Sequence, residues 1–374
     1  MKNGINIPLI FLLAMLLFNC GRKESANEKN NVQTLDIFSE STEKLTFQSI
    51  RMVPLETGED ILIGGRSKLK VHNDEFYVLD KENHDCVLRF NSEGKFLNKI
   101  GKHGKGPREY RRADDFSIHG DTIDFLDGGT QTTITGYRKN GDFLYSKTFD
   151  VYARSFEKTE NGYAIYSSYN SQSPFRLKTT DENGNIKNTY LKSDSKLKYP
   201  VPGKLLGSGS LIYFQEGYHH STYILESGNL KKTYTFDFGK YSIPKTFFNM
   251  DSRKKRLNMI NKKGFATIRC YFGNKTIDVF EVLTIKKNQD SKAYHVVYER
   301  QKNQLFRKKF NMESKKYRSF KQPVSITRNR ELIYLSNAYT IKENKENLKD
   351  LVVNDEPMNG LEQNDNPVVL FCEI

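Results

Sequence analysis

The chain has 374 residues and carries 59 Lys and Arg against 45 Asp and Glu, a formal net charge of +14 at pH 7. This excess would suit nucleic acid, but the basic clusters lack interleaved aromatic residues and the apolar amino-terminal segment indicates export. We therefore expect no nucleic-acid partner, and the charge favours a solvated surface or attraction to anionic lipid and polysaccharide.

The first 20 residues are a targeting segment rather than part of the fold. One charge, at Lys2, precedes an apolar run from Ile7 to Phe18. This run is shorter than the ~20 residues that a membrane-spanning helix needs. The following Leu17-Phe18-Asn19-Cys20-Gly21 resembles a bacterial lipoprotein signal. The resemblance implies that Cys20 is lipidated and starts the mature chain; an ordinary signal peptide with an unrelated cysteine is the alternative.

The mature chain divides into a tether and one folded domain. Residues 21–35 are polar, with Ser, Asn, Glu and Lys dominating, and contain little to bury. Such a composition is typical of a flexible linker. We predict a flexible tether over 21–35 and a single domain over 36–374.

A hairpin-like unit recurs through this domain. The units have turn glycines at Gly94, Gly141, Gly184 and Gly228, between apolar strands. Glycine supplies the positive φ that tight hairpin turns require. A spacing of roughly 40–50 residues made of strands is typical of propeller blades with four strands each. A two-domain β-sandwich could use the same hairpins, but it does not predict a constant period.

Strand alternation gives six groups, and hence an all-β, six-bladed β-propeller. The last group lacks one strand, and the unclaimed strand Leu45–Val53 lies at the amino-terminal end. We predict that this strand pairs with the C-terminal blade, which would remove two open sheet edges. Small helical insertions are predicted near residues 244–263 and 338–366.

The cysteines give no metal signal. Cys86, Cys270 and Cys372 each lie in a β-like run, and no pair has metal-ligand spacing. Buried free thiols are the preferred interpretation, with one disulfide left open. We expect no metal and no cofactor.

The candidate ligand-binding residues lie in loops that the propeller would gather on one face. The densest loop, 101–112, contains three glycines, a proline and five consecutive polar residues: Arg108, Glu109, Tyr110, Arg111 and Arg112. Four histidines fall in the same set of loops: His84, His103, His219 and His220. A phosphate-binding loop is excluded because no Gly-Lys-Ser/Thr follows. The alternative to ligand contact is structural, with Glu109 pairing an arginine.

Several motifs resemble a known family. Val53-Pro54-Leu55-Glu56-Thr57 and Ile100–Tyr110 resemble segments of six-bladed β-propeller lipoproteins of Bacteroidota. The second has a family form close to Gly-x-x-Gly-x-Gly-Pro-Gly-Glu-Tyr, and Arg108 stands where glycine is usual. The resemblance covers roughly Leu45 to Ile374 and implies a propeller related to NHL-type and TolB-like repeats. It implies no active site.

We therefore expect a lipid-anchored module of the cell envelope, at the outer membrane and facing the periplasm or the exterior. It would be a monomer that binds or scaffolds a glycan, peptide or protein partner. The alternative is a lyase or hydrolase that acts on polysaccharide or peptide at the mouth of the central channel, a hypothesis that rests on fold analogy alone.

Overall fold

The computed structural model describes residues 32–40, 42–129, 131–169, 173–193, 201–286 and 291–374. The chain divides into two units, Met1–Val32 and Gln33–Ile374, and the secondary structure described lies in the second. Cys20 and the predicted signal segment fall outside the described residues.

Strands dominate the second unit. In chain order they are β1 Gln33–Leu35, β2 Glu43–Lys44, β3 Ile50–Pro54, β4 Ser67–His72, β5 Glu75–Asp80, β6 Cys86–Phe90, β7 Phe96–Ile100, β8 Asp115–His119, β9 Thr122–Asp127, β10 Thr132–Arg138, β11 Phe143–Phe149, β12 Ser155–Thr159, β13 Gly162–Tyr166, β14 Phe175–Asp181, β15 Ile186–Lys192, β16 Gly203–Ser208, β17 Leu211–Glu216, β18 Ser221–Glu226, β19 Asn229–Phe236, β20 Phe265–Gly273, β21 Ile277–Ile285, β22 Lys292–Glu299, β23 Gln304–Asn311, β24 Pro323–Ile326, β25 Glu331–Ser336 and β26 Val368–Glu373.

The strands form six sheets, as the repeat predicts. Blade 1 is β4–β7, blade 2 is β8–β11, blade 3 is β12–β15, blade 4 is β16–β19 and blade 5 is β20–β23. Blade 6 is β24, β25 and β26 with β3. The turn glycines Gly94, Gly141, Gly184 and Gly228 all have positive φ, between +76° and +99°. The hairpin chemistry inferred from the sequence is therefore present in blades 1 to 4, and the fold is a six-bladed β-propeller.

Blade 6 combines both ends of the folded chain. β26 runs antiparallel to β3, from the pair Val368–Pro54 to the pair Cys372–Ile50. The side-chain amide of Asn354 covers the other edge of β3, accepting from Met52 N at 2.9 Å and donating to Met52 O at 2.8 Å. The pairing of an amino-terminal strand with the C-terminal blade is thus present, although the strand is shorter than the predicted Leu45–Val53.

The residues before β3 form two additional short strands. β1 runs parallel to β19 on blade 4, and β2 runs parallel to β23 on blade 5. Each adds a fifth strand at the outer edge of its sheet. The predicted tether boundary at residue 35 is therefore too late, because the folded segment already includes Gln33–Leu35.

Aromatic side chains fill the spaces between neighbouring blades. Phe371 of blade 6 lies 6.1 Å from Phe76 of blade 1, between ring centroids, and Tyr166 of blade 3 lies 5.3 Å from Phe214 of blade 4. Burying one such side chain contributes about 1.5–3 kcal/mol. Cys86, Cys270 and Cys372 are buried in the same layers as free thiols, as predicted.

The helices lie in the two predicted insertions and at one further connection. They are α1 Arg253–Lys263, α2 Lys315–Ser319, α3 Ala338–Glu343, α4 Lys345–Leu348 and α5 Asp355–Gly360, with 3₁₀ turns at Glu59–Ile61, Gly239–Tyr241 and Lys245–Asn249. α1 begins at Ser252, whose hydroxyl accepts from Lys255 N, and ends at Gly264 with φ +71°. A serine first cap and a glycine after the last turn are both favourable at helix ends.

Candidate binding site

The loop between β7 and β8 is folded onto blade 2 by Tyr110. Its ring stacks on Phe125 with centroids 4.7 Å apart, and its hydroxyl donates to Asp85 O at 2.8 Å. The residue is 2% exposed. Burial raises the pKa of Tyr110 far above its usual range. Tyr110 is therefore neutral at pH 7, and its buried ring fixes the loop against blade 2.

Glu109 folds back over the glycines of the same loop. Its carboxylate accepts from Gly106 N at 2.8 Å and pairs with the Lys102 ammonium at 2.9 Å. A Cβ atom at Gly104 would lie 1.9 Å from that carboxylate, so a larger residue there would displace the Glu109 side chain from its present position. These bonds lower the pKa of Glu109, the Lys102 bond being the largest cause. The expected structural role is present, but the partner is a lysine rather than the predicted arginine.

His103 and Arg112 fasten the two ends of the loop. His103 Nε2 lies 3.0 Å from Arg111 O and 3.5 Å from the Asp85 carboxylate. Arg112 binds the Asp127 carboxylate at 3.3 Å and donates to Gly128 O. Both side chains remain more than half exposed. They can therefore contact a ligand while they hold the loop.

A cleft of about 620 Å³ lies between this loop and blade 2. Its lining includes backbone at Gly104, Gly106, Gly128 and Gly129 and side chains from Glu109 to Arg112, Gln131, Thr133 and Thr148. The hydroxyls of Thr133 and Thr148 are 3.0 Å apart on the far wall. The cleft therefore combines bare backbone, paired hydroxyls and positive charge.

Two cations at the cleft have no internal partner. Lys105 and Arg111 are exposed, and the structure records no side-chain hydrogen bond or ion pair between either of them and another described residue. The recorded hydrogen bonds of Arg111 are those of its backbone: its N–H donates to Asp127 at 3.3 Å, and its carbonyl oxygen lies 3.0 Å from His103 Nε2. Both charges remain available to a ligand. Lys105 was not among the predicted site residues, although it lies within the predicted loop.

Arg108 contributes mainly through its backbone. Its carbonyl accepts from the Tyr137 hydroxyl at 2.6 Å, and its guanidinium carbon lies 5.9 Å from the centre of the Phe143 ring. Arg108 is not among the described residues with positive φ. Its departure from the family motif therefore requires no glycine-specific conformation.

His84 lies beside this loop rather than in the cleft. Its Nε2 is 3.1 Å from Leu62 O, and its Nδ1 is 3.5 Å from the Lys99 ammonium. The imidazole connects the strand ends of blade 1 to the segment before β4. A structural role accounts for these contacts.

His219 and His220 form a separate group at blade 4. His219 Nε2 is 2.9 Å from the Tyr169 hydroxyl, and its ring centroid is 4.8 Å from that of Phe248. His220 Nε2 accepts from Ile243 N at 3.4 Å. Burial lowers the pKa of both, that of His219 to about 3, so both imidazoles are neutral at pH 7. No recorded contact between described residues joins this pair to the loop of blade 1, so the predicted histidines do not converge.

A group of charges on the inner strands, the first strand of each blade, was not predicted from the sequence. Lys68 and Lys70 of blade 1 pair with Asp115 of blade 2 and Glu157 of blade 3. Lys68 and Lys70 alternate with apolar residues on β4, a pattern that ordinarily indicates a solvent-facing side. In a propeller, polar side chains on an inner strand can face the central channel instead of the outer surface. The position of β4 within its blade could therefore have identified Lys68 and Lys70.

The geometry can be set beside known proteins. The family described as Domain of unknown function (DUF4934) matches residues 26–373. The chain belongs to this family. The match covers the propeller and the two added strands, and the family's description gives no activity. No curated protein matches the sequence.

A solved structure shares the fold of this DUF4934 member. A Bacteroides fragilis protein described as exported superposes with a TM-score of 0.73 at 17% identity, covering 92% of this chain and 99% of that one. A protein of unknown function from Bacteroides caccae gives 0.41 at 11% identity, covering 67% and 85%, and BamB from Moraxella catarrhalis gives 0.36 at 8% identity, covering 70% and 79%. The first match supports the six-bladed fold, and the other two carry no argument.

The described residues contain neither a membrane-spanning helix nor a metal-binding group. No helix there is both long and apolar enough to cross a membrane. In that same part of the chain, no group of three or more His, Cys, Asp or Glu residues has a metal-binding arrangement.

Proposed function

We propose that this DUF4934 protein is a lipid-anchored, cell-envelope binding module whose cleft beside blade 2 takes an acidic glycan. The single observation that carries the proposal is the pair of cations, Lys105 and Arg111, that have no recorded side-chain partner among the described residues, at a cleft whose other charged groups are already paired. A ligand carboxylate or sulfate would give both cations the partner that the protein does not supply.

The walls of the cleft suit a sugar ring. The Thr133 and Thr148 hydroxyls and the Gln131 amide line the cleft and can form hydrogen bonds with a hydroxylated ligand. The glycine backbone at Gly104 and Gly128 lets a ring approach closely, since no side chain projects there. An acidic peptide would satisfy the cations equally, but it would bring fewer hydroxyl groups to bond with Gln131 and the two threonines.

A binding role fits the arrangement better than the lyase or hydrolase alternative. That alternative needs His103, Arg108, Tyr110 and His219 around one substrate. Tyr110 is committed to Phe125 and Asp85, and His219 to Tyr169 and Phe248. The ionisable side chains that remain exposed at the cleft are cations, which bind acids without transferring a proton at pH 7.

The test is an array of acidic and neutral envelope glycans, probed with the detergent-solubilised full chain. We expect retention of glycans that contain uronate or sulfate and little retention of neutral ones. The double variant Lys105→Met with Arg111→Met should lose this retention. Lys254→Met with Lys263→Met is the matched control, because both lysines are exposed on α1 and the net charge changes equally. Equal binding by the two double variants, or no binding by the native chain, would contradict the proposal.

The lipid anchor at Cys20 belongs to the same proposal, as do the outer-membrane location and the relation to NHL-type and TolB-like propeller lipoproteins. They rest on the residues around Cys20 and on the motif Ile100–Tyr110. Export of this chain also agrees with the description of the Bacteroides fragilis protein that shares its fold. Metabolic labelling with an alkyne fatty acid should mark the native chain and not the Cys20→Ala variant. Equal labelling of both would remove the anchor from the account.

A further inference from the structure

The first strand of each blade is its inner strand, and the inner strands of blades 1 to 5 carry a group of charged side chains that we call the ring. Asp115 on β8 uses both carboxylate oxygens: Oδ1 accepts from Lys68, and Oδ2 accepts from the Ser155 hydroxyl at 2.8 Å. Its two partners come from blades 1 and 3. Burial is the largest influence on this carboxyl, but the charges of Lys68 and Lys70 leave its pKa below the usual value. Asp115 is therefore ionised and fully engaged.

Glu157 on β12 is equally committed. Its Oε1 accepts from Lys70, and its Oε2 accepts from the Ser117 hydroxyl at 2.5 Å. The residue is 3% exposed. Each of the two carboxylates therefore pairs with one lysine of blade 1 and has a hydrogen bond on both of its oxygens.

Lys204 on β16 is the remaining cation of this ring. Burial lowers the pKa of the Lys204 ammonium, and the nearby charges of Lys68 and Arg269 lower it further, while Asp115 opposes this shift. The structure records no hydrogen bond or ion pair between its ammonium and any described residue. Arg269, its cationic neighbour on β20, is already paired with Glu281 and donates to Lys321 O. Among the described residues, Lys204 is therefore the lysine of this ring whose ammonium has no recorded anionic partner.

Gln215 offers an unsatisfied acceptor at the same place. It is the antiparallel partner of Lys204 in the β16–β17 pair, so both side chains lie on one face of blade 4. Its Nε2 donates to Arg269 O at 2.8 Å, and its Oε1 is buried without a hydrogen-bond partner. Gln215 is 3% exposed, whereas Lys204 is partly exposed and can be reached from solvent.

We propose that Lys204 and Gln215 form a second binding site, facing the inner strands, for a small oxyanion that also carries a hydroxyl group. An oxyanion supplies the charge that Lys204 lacks, and an O–H donor supplies the hydrogen bond that Gln215 Oε1 lacks. Monohydrogen phosphate and a hydroxy carboxylate such as a uronate share this chemistry. A partly buried cation and a fully buried acceptor without partners are both unfavourable, so a ligand that satisfies the two at once gains from each.

This site is distinct from the cleft beside blade 2 and does not depend on the proposed function. The cleft lies between the β7–β8 loop and blade 2, whereas Lys204 and Gln215 belong to blade 4. Loss of glycan binding at the cleft would leave the second site in place, and the reverse also holds.

The test is calorimetric titration of the detergent-solubilised full chain at pH 7 with phosphate, glucuronate and sulfate as separate probes. Sulfate at this pH has the charge but no O–H donor. We expect phosphate or glucuronate to bind at least fivefold more tightly than sulfate, and the stronger of the two identifies the source of the ligand. Lys204→Met should weaken binding at least tenfold, and Lys204→Arg should restore it to within about threefold. Lys231→Met, an exposed lysine on β19 of the same blade, is the control and should change nothing.

A second variant keeps the proposal testable if Lys204→Met fails to fold. Gln215→Leu removes the acceptor and should make phosphate and sulfate bind equally. Three results would overturn the proposal: no heat of binding from any probe, unchanged binding by Lys204→Met, or an undiminished preference for phosphate in Gln215→Leu. The first would mean that water alone satisfies both groups.

Discussion

Lys70 on the inner strand of blade 1 forms an ion pair with Glu157 on the inner strand of blade 3. Blade 2 lies between blades 1 and 3 in chain order. Both side chains are largely buried, with 14% and 4% exposed. The pair therefore joins two sheets that are not neighbours in the sequence of blades.

Removing one partner of this pair should destabilise the protein. Lys70→Met leaves the Glu157 charge buried and uncompensated, which costs about 3–5 kcal/mol in the free energy of unfolding. Urea unfolding at pH 7 measures the loss, and adding Glu157→Gln should recover part of it. The exposed pair Lys255–Asp251 gives the control, since Lys255→Met should cost less than about 1 kcal/mol. A similarly small loss in Lys70→Met would show that the inner pair contributes little.

Asn366 holds the segment before blade 1 against blade 6. Its amide donates to Glu56 O at 2.7 Å and to Ile61 O at 2.9 Å, and it accepts from Ile63 N at 2.7 Å. Asn366→Asp keeps the shape but removes both donors, and should lower the free energy of unfolding by about 3 kcal/mol. Asn359→Asp, at an exposed site, should change it by less than about 0.5 kcal/mol. Equal effects of the two substitutions in urea unfolding would contradict this role.

Lys178 should make stability rise with pH. Burial lowers its pKa from 10.5 to about 8, while its ammonium donates to the Ser167 hydroxyl at 2.6 Å. Between these two pKa values the unfolded chain holds a proton that the folded protein has lost. The free energy of unfolding of the native chain should therefore rise by about 2 kcal/mol from pH 8 to pH 10, relative to Lys178→Met.

The exposed Lys254 provides the control for that pH series. Lys254→Met should keep a constant difference from the native chain over the same range. If Lys178→Met behaves in the same way, the ammonium of Lys178 does not carry a burial penalty.

The three thiols should be unreactive until the protein unfolds. Burial raises the pKa of Cys86 to about 11 and that of Cys270 to about 12, and Cys372 is fully buried. The nucleophilic form is the thiolate, so a disulfide reagent should label none of them in the native chain at pH 7.5 and all of them in urea. Rapid labelling of the native protein, or a missing thiol in urea, would show an exposed cysteine or a disulfide.

The repeat was predictable because blades 1 to 4 each contain a hairpin turn with a glycine. Gly94, Gly141, Gly184 and Gly228 are fixed by a positive φ that other residues adopt only under strain, so they mark the hairpins in the sequence. β1 and β2 could not be predicted, because two or three residues are too short to show an alternation. They pair with blades 4 and 5 far away in the chain.

The sequence predicts which loop forms the candidate site but not how the side chains of that loop are arranged. Three glycines and five polar residues in sequence mark 101–112, yet nothing local shows that Tyr110 faces Phe125 while Arg111 faces solvent. The separation of His219 from His103 depends on which blades the loops join. The uncompensated Lys204 depends on three other strands, so its charge balance exists only in the folded molecule.

The most direct measurement is a thermodynamic cycle between the protein and its ligand. Calorimetry would compare an acidic oligosaccharide with its carboxyl-reduced form, against the native chain and Arg111→Met. If Arg111 binds the ligand carboxylate, the two changes should couple by about 1–2 kcal/mol, because each removes the same interaction. Effects that simply add, with a coupling below about 0.3 kcal/mol, would show that the acid binds elsewhere and would contradict the cleft as the glycan site.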